Sequence, residues 1–143
     1  MAEPRRRRIA VVNDDPEFLA LLEQLLESEG PYEVFTFRDE ETRLGELRAV
    51  APEVIVIDIL AASLPTGWEL AVVAGADATL GPIPIIVTSP NIPGLGHRVD
   101  ELREVANVRV VPKPFTIEEL RAAVRGALSD VGPADREPRE QAT

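Results

Sequence analysis

Apolar residues fall along this chain in two alternating rhythms. Short runs rich in β-branched residues, at 9–13, 54–57, 85–87 and 108–111, are bounded by turn residues and read as buried strands. Residues 32–37 alternate, with aromatics and Val34, and read as one more strand. Between strands the spacing changes to three and four. Residues 16–28 place Phe18, Leu19, Leu21, Leu22, Leu25 and Leu26 on one helical stripe, with Asp15 as the cap, Pro16 in the first turn and Gly30-Pro31 as the stop. Residues 39–50 carry Leu44, Leu47 and Val50 and end before Pro52. A third helix is expected over 68–78, weakened by Gly75, and a short fourth over about 96–106 after a proline-bearing loop at 88–95. Thr116 and Glu119 form a capping box for a last helix ending near Leu128. Five strand–helix units in this order predict an α/β fold, a parallel sheet covered on both faces and joined by right-handed crossovers.

The polar residues that end the strands carry the chemistry. Asp14-Asp15 follow the first strand, Asp58 follows the third, and Lys113 lies between Pro112 and Pro114 after the fifth. A parallel sheet gathers its carboxyl ends along one edge, and ligands bind there near the point where strand order reverses. Three carboxylates and one ammonium would meet in that crevice. Carboxylates held so close repel one another unless a cation joins them, so the set calls for a divalent metal and a phosphate-like anion. This is the chemistry of a phosphoacceptor.

A chain of 143 residues, 45% of them hydrophobic, is the size of one domain with one core. Its 25 acidic against 15 basic residues give a net charge of −10, which opposes general binding to nucleic acid or anionic membrane. The run Arg5-Arg6-Arg7-Arg8 is the exception, and a solvated tail over 1–8 is the plain expectation for it. There is no cysteine, which excludes disulfides and thiolate metal sites. No apolar stretch approaches the roughly 20 residues that span a bilayer, so the expected location is the cytoplasm without membrane insertion. Residues 130–143 are polar, without apolar period, and are expected to be disordered.

Across about residues 8 to 129 the sequence resembles the receiver domain of two-component response regulators. The resemblance rests on Asp14-Asp15, Asp58, Thr88 and Lys113-Pro114-Phe115, each following a strand in order, together with Gly67-Trp68-Glu69-Leu70 at the start of the third helix. It implies a flavodoxin-like, doubly wound five-stranded sheet in the order 2-1-3-4-5, with the domain over 9–129. It also implies that Asp58 takes a phosphoryl group from phosphohistidine as an acyl phosphate. Asp15 and Asp58 would bind Mg²⁺ directly, Asp14 through water and Leu60 through its carbonyl. Lys113 and the Thr88 hydroxyl would contact phosphoryl oxygens. The Lys113-Pro114 bond is cis in this family. The implied partners are a sensor histidine kinase or histidine phosphotransfer protein and a downstream protein target. The protein would be a signalling molecule rather than an enzyme, acting alone as monomer or weak dimer.

Three departures from the family pattern stand out. Val110 occupies the position where a switch tyrosine or phenylalanine is usual. The loop after Asp58 is one residue longer, with Ala62 in place of the usual proline and Pro65 further on. Ser89-Pro90-Asn91-Ile92-Pro93-Gly94 delays the fourth helix. Leu60 and Pro90, both apolar, stand where the family controls water access to the acyl phosphate, so slow hydrolysis is expected. Trp68 and Phe115 read as packing residues, and His97, the only histidine, as an exposed loop residue. Two other readings compete with the phosphoacceptor. A degenerate receiver could serve as a phosphorylation-independent binding module. A small flavodoxin-like enzyme would need a glycine-rich phosphate loop, which Asn13-Asp14-Asp15-Pro16 is not.

Overall fold

The computed structural model describes residues 6–13, 15–38, 44–58, 66–89, 97–105, 107–113 and 115–130. Five strands, β1 (Arg7–Val12), β2 (Tyr32–Phe37), β3 (Val54–Asp58), β4 (Ile85–Ser89) and β5 (Val108–Pro112), form one parallel sheet in the order β2-β1-β3-β4-β5. Five helices connect or follow them: α1 (Pro16–Glu27), α2 (Leu44–Val50), α3 (Thr66–Ala76), α4 (His97–Val105) and α5 (Ile117–Asp130). This is the predicted doubly wound fold.

Strand alternation divides the core. Ile9 and Val11 of β1, with Val54, Val56, Ile86 and Val111, pack under Leu19, Leu22 and Leu26 of α1 and Leu120 and Val124 of α5. Ala10 and Val12, with Ile55, Ile57, Ile85 and Val87, pack under Leu47 of α2, Leu70 and Ala74 of α3, and Val99 and Leu102 of α4. Because consecutive side chains point to opposite faces, a strand buried on both sides needs apolar residues at every position. All five residues of β3 and of β4 are buried.

Helix caps follow the sequence. The Asp15 carboxylate accepts from the N–H groups of Glu17 and Phe18, and Pro16 opens α1. Thr116 and Glu119 form the reciprocal capping box, with Glu119 N–H to Thr116 Oγ1 at 3.0 Å and Thr116 N–H to Glu119 Oε1 at 2.7 Å.

Several boundaries move. The basic run is not wholly a tail: β1 begins at Arg7, whose N–H donates to Pro31 O at 2.8 Å, and Arg7 and Arg8 stand in register with Tyr32 and Glu33. Arg7 pairs with Glu53 at 3.1 Å, and Arg8 donates to Val50 O at 2.8 Å. Their charge hid them, since an arginine at a sheet end can be held by a carboxylate and a helix carbonyl without apolar cover. Helix α3 starts and ends two residues before the expected 68–78, while β3 and β4 extend to Asp58 and Ser89, so these two polar residues belong to the sheet. His97 opens α4 rather than lying in a loop. The expected start of α2 at 39–43, the loops at 59–65 and 90–96, Pro114 and residues 131–143 lie outside the described residues.

Candidate functional site

Strand parity builds the site. Asp58 follows Ile57 and so faces the same side as Val56, toward α1 and α5. Thr88 follows Val87 and faces that side too, and the register pairs Asp58 directly with Thr88. Lys113 lies two residues beyond Val111, again on that side, and its N–H donates to Ser89 O at 2.9 Å. Three residues from three adjacent strands therefore converge at one edge of the sheet.

Their contacts are short. The Thr88 hydroxyl donates to Asp58 Oδ1 at 2.7 Å, and Lys113 Nζ lies 2.6 Å from the same oxygen. Asp58 is 3% exposed, and its Oδ2 is buried with no hydrogen-bond partner. A buried carboxylate oxygen left unpaired is costly. Oδ2 is thus the place in this cluster where a cation or an electrophile would be most welcome.

Asp15 caps α1 just past the end of β1, the strand that lies beside β3 in the sheet. Only its Oδ1 is used in capping, and its other oxygen has no hydrogen bond among the described residues. Asn13, 3% exposed, fixes the turn by accepting the Asp15 N–H at 2.8 Å through Oδ1. Asp14 and Leu60, the remaining expected metal ligands, lie outside the described residues. No cluster of three metal-ligating acidic or histidine side chains occurs among the described residues. The orphaned Asp58 oxygen, with the Asp15 carboxylate just past the end of the neighbouring strand β1, nevertheless suits a hard, oxygen-preferring cation.

Two features of the site were not anticipated. Lys113 Nζ lies 5.3 Å from the ring centroid of Phe18, which reads in sequence only as a stripe residue. Phe18 in turn meets Phe115, with ring centroids 6.5 Å apart and planes at 55°, and both pack on the core beneath. Lys113 is also the only lysine in the chain; the other 14 of its 15 basic Lys and Arg residues are arginine. The chain's one ammonium side chain is the cation that meets the buried carboxylate. Val110 points away from this cluster: it is in register with Val87 and packs with the core beneath α3 and α4. Trp68 falls in the first turn of α3.

The family model for the response regulator receiver domain matches residues 9–125. The chain belongs to this family. Solved structures agree. A signal receiver domain of a histidine kinase from Syntrophus aciditrophicus is 25% identical, with a TM-score of 0.75 over 89% of this chain and 93% of that one. A CheY-like receiver domain protein from Methanospirillum hungatei is 26% identical, with a TM-score of 0.66 over 87% and 95%. A receiver domain of a sensor histidine kinase from Pseudomonas aeruginosa, 22% identical with a TM-score of 0.62 over 87% and 98%, shares the fold, and that structure has a magnesium ion coordinated in its active-site cleft. No curated protein sequence matches the chain. Receiver domains are modules of two-component signalling.

Proposed function

We propose that this receiver accepts a phosphoryl group on Asp58 from phosphohistidine of a sensor histidine kinase or a histidine phosphotransfer protein, and signals by docking to a separate protein target in the cytoplasm. The observation that carries this reading is the Asp58 carboxylate itself, buried, bound on one oxygen by Thr88 and Lys113 and unpartnered on the other. In the reaction a lone pair of the carboxylate bonds to phosphorus as the phosphorus–nitrogen bond breaks. The bonding pair leaves on the imidazole nitrogen, and an acyl phosphate remains. Lys113 and Thr88, donors already at the site, would turn from Asp58 to the phosphoryl oxygens. Asp15 and Asp58 would hold Mg²⁺ directly, with Asp14 through water and the Leu60 carbonyl completing the set. When bound, the ion neutralises charge on the transferring group. The protein's own chemistry is confined to taking up and losing its phosphoryl group.

Val110 favours one alternative, a receiver that binds its target without phosphorylation. A valine packed away from Thr88 offers no ring to rotate when Thr88 moves. Against it stands the intact trio of Asp58, Thr88 and Lys113, whose buried charge has no structural need in a simple binding module. Beryllofluoride with Mg²⁺, a phosphoryl analogue, distinguishes them. Amide resonances of Thr88, Ser89, Val110, Val111 and Lys113 should shift on its addition to wild type and stay fixed in Asp58→Asn. No shift at these positions in folded wild type would contradict a phosphorylation switch.

A further inference from the structure

We infer that Phe18 is a positioning residue of this site: its ring holds the Lys113 ammonium beside Asp58, ready to orient an incoming phosphoryl group. The inference rests on the reading of Asp58 as phosphoacceptor. Lys113 Nζ lies between a carboxylate oxygen at 2.6 Å and an aromatic ring whose centroid is 5.3 Å away. Both attract a cation, the ring through the negative charge over its face. The lysine backbone is tied to β4 through its N–H to Ser89 O, so each end of this flexible side chain is held.

The ring is itself fixed. Phe18 donates its N–H to the Asp15 cap, which links the ring's position to the carboxylate expected to hold the metal. Phe115, on the other side, meets it in a tilted aromatic contact, and both rings rest on the core cluster under α1 and α5. A long ammonium side chain loses rotamer freedom when it is ordered, and a group that orders it beforehand speeds a step that depends on its placement. Phe18 supplies that ordering. A leucine would keep the apolar bulk and lose the attractive face, whereas a tyrosine would keep both.

Because the chain has a single lysine, its side-chain resonances report this contact without ambiguity. In wild type and Phe18→Tyr the Lys113 ε-methylene protons should lie upfield of their random-coil position, shielded by the ring. In Phe18→Leu they should return to it. With phosphoramidate and Mg²⁺, Phe18→Leu should gain its phosphoryl group about five- to tenfold more slowly than wild type, and Phe18→Tyr within about twofold, a span matching the strength of a partly exposed cation–π contact. An unshielded Lys113 in wild type, or a folded Phe18→Leu protein with the wild-type rate, overturns the inference. Should Phe18→Leu fail to fold, the Lys113 shift in wild type and Phe18→Tyr decides alone. A wild-type protein with a shielded Lys113 that takes up no phosphoryl group would instead overturn the phosphoacceptor reading and leave the placement of Lys113 by Phe18 standing.

Discussion

Asp58 and Lys113 carry unequal shares of the cost of a buried ion pair. Asp58 has a side chain 3% exposed and an oxygen without a partner, whereas the Lys113 side chain is 24% exposed and can reach water. Removing the cation leaves a buried charge, and removing the charge lets the cation return to solvent. Lys113→Ala should therefore lose about 2 kcal/mol of stability, below the range for fully buried pairs because the lysine is partly solvated. Asp58→Asn should be at least as stable as wild type. Urea unfolding of the two variants checks this, and an Asp58→Asn protein weaker than Lys113→Ala would refute it. At this scale the sequence disclosed the polar residues and concealed an apolar one. Asp58, Thr88 and Lys113 were legible because polar residues at the ends of apolar strands need a reason. Phe18 was not, since an aromatic on a helical stripe is already accounted for by packing and its cation lies 95 positions away.

Elements in this fold are set by their ends. Helix α2 closes on Ala51, whose φ of 55° is in the left-handed region and whose N–H reaches the carbonyls of Leu47 and Arg48. Glycine is the usual residue for such a helix stop, because a Cβ there meets the backbone. Ala51→Gly should stabilise the receiver by about 1 kcal/mol, or on the order of 3 °C in melting temperature. A calorimetric scan that finds the variant less stable would show that the alanine is not strained. Nothing in the local sequence revealed this conformation, because Ala51-Pro52 reads as an ordinary extended step after a helix. The Asp15 cap and the Thr116–Glu119 capping box were readable, since their donors and acceptors lie within four residues. The strand ends at Arg7 and Ser89 were not, since their hydrogen bonds come from Pro31 and Lys113, far along the chain.

Across the whole molecule, a few ion pairs tie together helices that also pack on the sheet. Arg48 of α2 pairs with Asp77 just after α3, and Arg125 of α5 pairs with Glu29 just after α1. The hydrogen bond from Arg48, with backbone N–H groups of Leu80 and Thr79, holds the Asp77 carboxyl well below the usual carboxylate range. A carboxyl whose pKa is lower folded than unfolded contributes stability above the unfolded value, about 3.9, and loses it as pH falls toward the folded one. The stability advantage of wild type over Asp77→Asn should thus be full at neutral pH and shrink below about pH 4. Denaturant melts at pH 7 and pH 3 test the sign, and an advantage that grows on acidification would contradict it. The sheet order lay beyond strand periodicity, which names the strands and their faces and leaves their neighbours open. It became legible through the resemblance carried by Asp14-Asp15, Asp58, Thr88 and Lys113-Pro114-Phe115.

The most direct test of the receiver as a phosphoacceptor is intact mass after incubation with acetyl phosphate, with and without Mg²⁺, for wild type and Asp58→Asn. One added phosphoryl group that requires Mg²⁺ and is lost in Asp58→Asn is the predicted result. A folded wild-type protein that gains no phosphoryl group, or an adduct that persists unchanged in Asp58→Asn, would contradict it.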